Sequence, residues 1–329
     1  MLNHGRMETT HFDAIVIGGG AAGLSAAQAL GRSLRRTLVI DAGEPRNRFA
    51  GHMHNVLGLD GTPPLELLER GREEARAYGV EFLSASVRAV RESGNGLAVE
   101  ATPHGAGGPT TRTTLTARAL IVATGVTDRL PEIAGVAERW GSSILHCPYC
   151  HGWEVRGGRL GVLATSPASL HQVKLIRQWS DDVTVFSAGL GELDPETERA
   201  LVARGMRVER DPVAAVGTAA TGEMLVTTEG GASHSIDAIF TASSLQPHDG
   251  FLSELGLART DSPVGSFIAV DMMGRTSHPR VWAAGNVVAP MATVPMAMGA
   301  GAGAGGAANW ALVEEDFALA IEASESGNA

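Results

Sequence analysis

Apolar residues along this chain fall into short runs separated by glycine turns and by charged, amphipathic stretches. Asp13–Ile17 is one such run. Leu24–Leu30 has the spacing of a helix, and Thr37–Ile40 is a second run ending at Asp41. Pro64–Tyr78 alternates charge and apolar positions with helical period. Glu81–Arg91, Leu97–Ala101 and Thr113–Arg118 read as half-buried strands, and Ala119–Ala123 as a buried strand ending in Thr124-Gly125. Asp128–Pro131 breaks the pattern and predicts a domain exit.

A second unit follows. Arg159–Ala164 reads as a strand, Ala168–Trp179 as a helix and Asp182–Phe186 as a strand. The chain is expected to cross back near Ala242–Pro247, with a strand at Val281–Gly285 followed by Asn286. Met296–Trp310 is helix-like but holds Gly299, Gly301, Gly303, Gly305 and Gly306. Each glycine costs a helix about 1 kcal/mol, which is tolerable where a backbone or cofactor comes close. A flexible low-complexity loop is the other reading; the flanking Val-Trp-Ala-Ala-Gly-Asn and Ala-Ala-Asn-Trp-Ala-Leu runs favour packing. The fold class expected is α/β, with two Rossmann-like nucleotide-binding domains of the three-layer ββα type.

The first turn carries the strongest signal. Gly18-x-Gly20-x-x-Gly23 lies between strand and helix, and Asp41 ends the next strand. In such a fingerprint the first glycine permits the turn, the second admits a pyrophosphate and the third lets helix and strand pack closely, while the acid meets a ribose. The second unit has the same order of elements without the glycines. Its turn reads Gly161-Val-Leu-Ala-Thr-Ser-Pro167, with Ala164 where the first glycine belongs. Phe186 is followed by Ser-Ala-Gly-Leu-Gly-Glu, with no cation for a 2′-phosphate. That nucleotide site reads as lost or remodelled.

The 329 residues allow two cores, and 44% hydrophobic with 19% charged residues is ordinary for a globular protein. The net charge of −10 comes without a basic stripe, so nucleic acid is not an expected partner. Met1–His11 is polar, without the apolar core of a secretory signal. No apolar stretch reaches the ~18 residues of a membrane span. The expectation is a cytoplasmic protein.

Two cysteines are present in all, Cys147 and Cys150, in the run His-Cys-Pro-Tyr-Cys-His from His146 to His151. In a reducing compartment such a pair is more often catalytic or metal-binding than structural. Its thiolate is the reactive form. Pro148 suits a helix N1 position, which would place the sulfurs near a positive helix end. His151, or His146 from the other side, has the pKa of a near-neutral base. Three other readings stand beside this one: a zinc site crowded into six residues, an inert buried pair, and histidines that only hydrogen-bond. Trp140, Tyr149 and Trp153 either line a pocket or pack a core. His52 and His54, after Arg46 and Arg48, are possible pocket residues.

Together, Gly18-x-Gly20-x-x-Gly23, Ala123-Thr124-Gly125, Cys147-Pro-Tyr-Cys150 and Ala284-Gly285-Asn286 resemble the low-molecular-weight thioredoxin reductase family, over about residues 11–320. The resemblance implies FAD, a homodimer, and an inserted domain carrying the cysteines. It implies a first FAD-binding part over 11–126, an inserted NAD(P)-binding-like domain over 127–243 and a second FAD-binding part over 244–322. The FAD contacts it implies are Gly18, Gly20, Ala22, Gly23, Asp41, Ala42, Arg48, Asn55, Val87, Ala123, Thr124, Gly125, Gly285, Asn286, Val294 and Pro295, with a polar position at or beside Thr293. The catalytic set is Cys147, Cys150, His151 and His146, and no metal is expected. By the family pattern Cys150 lies nearer the flavin and Cys147 meets the substrate.

Three positions depart from the reductases. The second dinucleotide fingerprint is missing, His151 replaces an Asp, and Asn286 replaces an Asp. These departures resemble the FAD-dependent dithiol oxidases that form the disulfide of holomycin-, gliotoxin- or romidepsin-type compounds. That resemblance implies a small-molecule dithiol and O2 as reactants, with H2O2 as product. The alternative is a disulfide reductase acting on a thioredoxin-like protein, driven by NAD(P)H or another reduced carrier such as ferredoxin. A non-enzymatic flavoprotein or redox sensor is a third reading, and the intact cysteine pair argues against it.

Overall fold

The computed structural model describes residues 11–105 and 112–326; the polar leader at 1–10, on which the reading of no secretory signal rests, lies outside them. The first half builds β1 (His11–Ile17), α1 (Ala21–Arg32), β2 (Thr37–Asp41), α2 (Pro64–Ala77), β3 (Glu81–Ser93), β4 (Gly96–Pro103), β5 (Thr113–Val122) and β6 (Val126–Arg129). The second unit holds β7 (Ile144–Leu145), α3 (Pro148–His151), β8 (Leu160–Leu163), α4 (Leu170–Ile176), β9 (Val183–Phe186), α5 (Pro195–Ala203), β10 (Arg207–Glu209), β11 (Val213–Thr218), β12 (Met224–Thr228), β13 (Ser233–Ile236) and β14 (Ala238–Thr241). The chain then runs through β15 (Ser244–Pro247), β16 (Arg259–Ser262), β17 (Gly265–Ile268), β18 (Val281–Ala283) and α6 (Val294–Ser326).

In the first sheet β3, β2, β1, β5 and β18 lie parallel, and β4 joins β3 to β5 as an antiparallel meander. Alternation along β1 separates two cores. Ile15 and Ile17 pack with Leu97 and Val99 of the meander. Ala14 and Val16 face the helices, with Ala26 of α1 and Ala304 of α6. Three layers result, because a strand shows opposite faces to successive side chains. The second sheet is parallel in the order β10-β9-β8-β14-β7, with a separate antiparallel β11-β12-β13. β6 and β15 pair antiparallel where the chain leaves and returns, with Asp128 opposite Leu245.

Several elements differ from the sequence expectation. Residues 113–122 form one strand, not two: β4 flanks its alternating first half, and β1 and β18 flank its continuously apolar second half. The pattern changes there because the neighbours change. The helix expected at 168–179 is a 3-10 turn over Pro167–Ser169 followed by two turns of α4. Helix α6 is 33 residues long, well past Trp310. Its extension is anchored by ion pairs of Glu315 with Arg118 and Arg280, and of Asp316 with Arg35. No helix among the described residues is long and apolar enough to cross a membrane.

The α6 glycines divide by face. A Cβ on Gly301 would collide with the Ala22 carbonyl, and one on Gly305 would lie 2.6 Å from the Ala26 carbonyl oxygen. Gly299, Gly303 and Gly306 face open space. Close approach of α6 to α1 therefore needs two of the five glycines. We predict that Gly301→Val lowers stability by about 3 kcal/mol through overpacking, read as a fall in thermal midpoint.

Candidate active site

The ends of β1, β5 and β18 and the starts of α1 and α6 converge at one edge of the first sheet. Gly18 has φ +105°, and a Cβ there would strike the Ala123 carbonyl. A Cβ on Gly23 would strike the Gly18 carbonyl. Gly20 is the N-cap of α1, makes no side-chain cap, and has nothing within 4 Å of its Cβ direction. A tight turn thus delivers an uncapped helix N-terminus to an open approach, the cradle a pyrophosphate needs. Asp41 accepts from Gly19 N–H at 3.0 Å and pairs with Arg72 at 3.1 Å, a partner not anticipated from sequence.

Thr124 donates to the His248 carbonyl at 2.6 Å, and Gly125 has φ +69°. Gly285 has φ +77°, with Ala22 directly behind it. Ala22 is buried against α6 and belongs to the support of the turn rather than to its open side. Asn286 points its amide nitrogen at the carbonyls of Ala289, Pro290 and Ala292, so that half of the side chain shapes the turn before α6. Thr293 accepts from Ala297 N–H through its carbonyl at 2.9 Å, and Val294 and Pro295 begin α6. Val87 sits at a β-bulge in β3. Ala42 and Arg48 are exposed, with Arg48 stacked 4.3 Å over Phe49. Asn55 is an exposed turn residue with φ +62°, its N–H donating to Asp60 at 3.1 Å.

Cys147 and Cys150 form a disulfide with Cα atoms 5.2 Å apart, within the ordinary span. Both sulfurs are thereby engaged, and no group of three or more metal-ligating side chains occurs among the described residues. Pro148 does take N1, but α3 is a single turn. One turn carries little dipole, so the expected thiolate stabilisation by a helix end has slight support. The turn is closed by Cys150 and His151 N–H groups, both donating to the Cys147 carbonyl at 3.1 Å.

His146 is the most enclosed of the candidate bases. Its Nδ1 is buried with no partner among the described residues, as is Oε1 of Gln172, whose Nε2 donates to the His146 carbonyl at 2.6 Å. Burial and the Arg46 charge hold its pKa below the ordinary imidazole value against the opposing pull of Asp128. His151 is also held low, by burial first; Glu154 raises it and His54 lowers it. Both rings therefore tend to be neutral near pH 7, and a neutral ring can accept a proton.

The surrounding contacts were not legible in the sequence. Arg46 forms a bidentate pair with Asp128 at 2.7 and 2.8 Å and donates to the Pro290 carbonyl at 2.8 Å. Ser243 donates to Asp128 at 2.6 Å. Burial pushes the Asp128 carboxyl up, and Arg46 and Ser243 outweigh it to hold the group low. Trp140 packs in the core of the second unit, 6.4 Å from the His146 ring. Tyr149 and Trp153 are exposed, the first edge-on to Trp179 and the second under Arg156. His52 is exposed, whereas His54 reaches Glu154.

At the second unit's switch point the turn after β8 is already satisfied from within. Thr165 and Ser166 N–H groups both donate to Ser169 Oγ, at 3.1 and 3.4 Å, and Pro167 has no N–H. A Cβ on Gly189 would collide with the Ala164 carbonyl, so the loop after β9 lies directly on that turn. A cavity of about 450 Å³ beside it is lined by Ser187, Glu192, Glu198 and Arg210. A cation does reach this end, then, from β10's side rather than from the loop, and Glu198 pairs with it.

Residues 12–301 match the family model described as pyridine nucleotide-disulphide oxidoreductase. The chain belongs to this family. It is 32% identical over 326 residues to the thioredoxin reductase sirT of Leptosphaeria maculans, covering 93% of this chain and 96% of that protein. The crystal structure of HlmI superposes with a TM-score of 0.88 at 41% identity, covering 98% of this chain and 99% of that one. An oxidoreductase from Agrobacterium tumefaciens gives 0.84 at 39% identity, covering 92% and 99%. The chain is accordingly an FAD-binding oxidoreductase with two Rossmann-like nucleotide-binding domains in a thioredoxin reductase-like fold. The cradle around Gly20 fits that cofactor.

The same comparisons overturn the expectation of an oxygen-consuming oxidase acting on a small dithiol. The curated relatives are named thioredoxin reductases, and the reductase alternative fits them. The misleading signs were His151, Asn286 and the missing second fingerprint. None of these fixes the direction of electron flow: a histidine serves as acid or base, and a lost dinucleotide turn concerns the donor.

Glu154 supplies a test of the site's electrostatics. Because it raises the His151 pKa, Glu154→Gln is expected to move the acid limb of thiol–disulfide exchange to lower pH. A pH profile of exchange with a chromogenic disulfide reads that limb.

Proposed function

We propose that this protein is a disulfide reductase whose Cys147–Cys150 pair reduces a thioredoxin-like protein. The support is the redox pair within a fold shared with thioredoxin reductases. Bound FAD supplies a two-electron store for reducing the pair. Gly18, Gly20 and Gly23 would admit its pyrophosphate and Asp41 its ribose, with Thr124, Gly125, Gly285 and Asn286 closing the cradle.

The reduced pair then works by exchange. The Cys147 thiolate attacks the partner's disulfide, and a mixed disulfide forms as one partner thiolate leaves. Cys150 attacks Cys147, restoring the enzyme disulfide and releasing the second partner thiolate. His151 takes the proton from an enzyme thiol and returns it to a leaving sulfur. His146, more deeply enclosed, keeps the other side of the pair neutral.

The second unit bears on the choice of donor. Its turn N–H groups are bound to Ser169 Oγ, and the loop at Gly189 lies on the turn. That supports a reduced protein carrier such as ferredoxin over NAD(P)H. The exposed glycine face of α6, with Trp310 and Phe317 beyond it, supports a homodimer.

Anaerobic stopped-flow reduction tests the donor. Reduced ferredoxin should bleach the flavin absorbance and drive reduction of a thioredoxin disulfide, and NADPH should do so poorly. Bleaching by NADPH at about 10 s⁻¹ or faster, a typical turnover rate, would establish NADPH as the donor instead.

A further inference from the structure

Reduction of the cysteine pair consumes protons as well as electrons. A disulfide plus two electrons plus two protons gives two thiols, and a protein carrier of the class proposed above delivers electrons alone. The pair lies in a half-buried turn, where side chains beside it can carry those protons in from solvent.

One set of side chains gathers beside this turn. His54 stands on the loop between β2 and α2, in the first domain, and Glu154 lies three residues after His151 in the second. His54 Nε2 is 3.5 Å from a Glu154 carboxylate oxygen, and its Nδ1 is 3.3 Å from each oxygen of Asp60. His54 is the least exposed of the three: its side chain is 25% exposed, against 41% for Glu154 and 70% for Asp60. Glu154 and His54 both act electrostatically on His151. The loop is held in shape by Asn55 N–H on Asp60 and, farther back, by Arg46 on Asp128.

We propose that His54, held between Asp60 and Glu154, is the proton-relay residue that reloads His151 from solvent when the Cys147–Cys150 disulfide is reduced. Both ring nitrogens face carboxylates, so the ring can take a proton on one side and release one on the other. His54 touches neither sulfur and acts through His151. The groups facing it are Asp60 on its own loop and Glu154 and His151 on the opposing unit. His146, Arg46 and Asp128 form a separate set around His146. Because His54 and Glu154 come from different domains, the path exists only in this arrangement of the two.

The inference rests on the reductase reading for its direction, and its test avoids both natural partners. The holoenzyme is reduced anaerobically by reduced methyl viologen, a one-electron donor, and the cysteine thiols formed are counted after acid quench and alkylation. His54→Ala should slow thiol formation about tenfold above neutral pH, at the low end of general acid–base effects, and added imidazole should restore it. Asp60→Asn should give a smaller slowing with the same pH dependence. Unchanged rates in both variants would overturn the relay. So would a slow His54→Ala that imidazole fails to rescue, since that marks a purely structural loop contact. Failure of the reductase reading would show separately, as a wild-type enzyme that forms thiols with viologen yet passes none to a thioredoxin disulfide.

Discussion

The Arg46–Asp128 pair joins the loop after β2 to the strand by which the chain leaves the first domain. Ser243 adds a hydrogen bond from the returning segment. Asp128 is 8% exposed and Arg46 20%. Removing one partner of such a pair leaves a buried charge, at a cost of about 3 kcal/mol or more. The same guanidinium reaches the Pro290 carbonyl ahead of α6 and helps hold His146 neutral. One side chain thereby ties together the loop after β2, the domain crossover and the surroundings of the disulfide. Phe49 adds to the strap, packing its backbone on Gly141, where a Cβ would come within 3.1 Å of the Phe49 carbonyl oxygen.

Much of the scaffold was legible because it follows from local sterics and periodicity. Gly18 and Gly23 admit no side chain, and their spacing within a strand–turn–helix pattern betrays that. The apolar runs gave most strand positions, and the errors are instructive. The β5 strand was split because its neighbours change midway, which no local pattern encodes. Helix α6 continues past Trp310 on a stretch of mixed character, held in part by the ion pair of Glu315 with Arg118, a distant residue that no local pattern encodes.

The site was legible in its chemistry and not in its wiring. Cys147, Cys150, His146 and His151 stand together because they are adjacent in sequence. Asp128 looked like a domain break, yet it is the buried anion of the site. Arg210 was missed because it arrives from β10 rather than from the loop after β9. The direction of electron flow was not legible because none of the residues read as its marks sets that direction: Asn286 shapes the turn before α6, and a histidine serves as acid or base. Those residues are shared by oxidation and reduction, since thiol exchange is reversible.

Exchange between Cys147 and the disulfide of a protein partner is the step on which the proposed function turns. The direct measurement uses the Cys150→Ser holoenzyme mixed with an oxidised thioredoxin-like protein after reduction, with the products resolved by non-reducing mass spectrometry. A stable mixed disulfide through Cys147 is expected, because the resolving sulfur is gone, and none from the Cys147→Ser enzyme. An adduct through Cys150 in the Cys147→Ser enzyme alone, or no adduct in either, would contradict it.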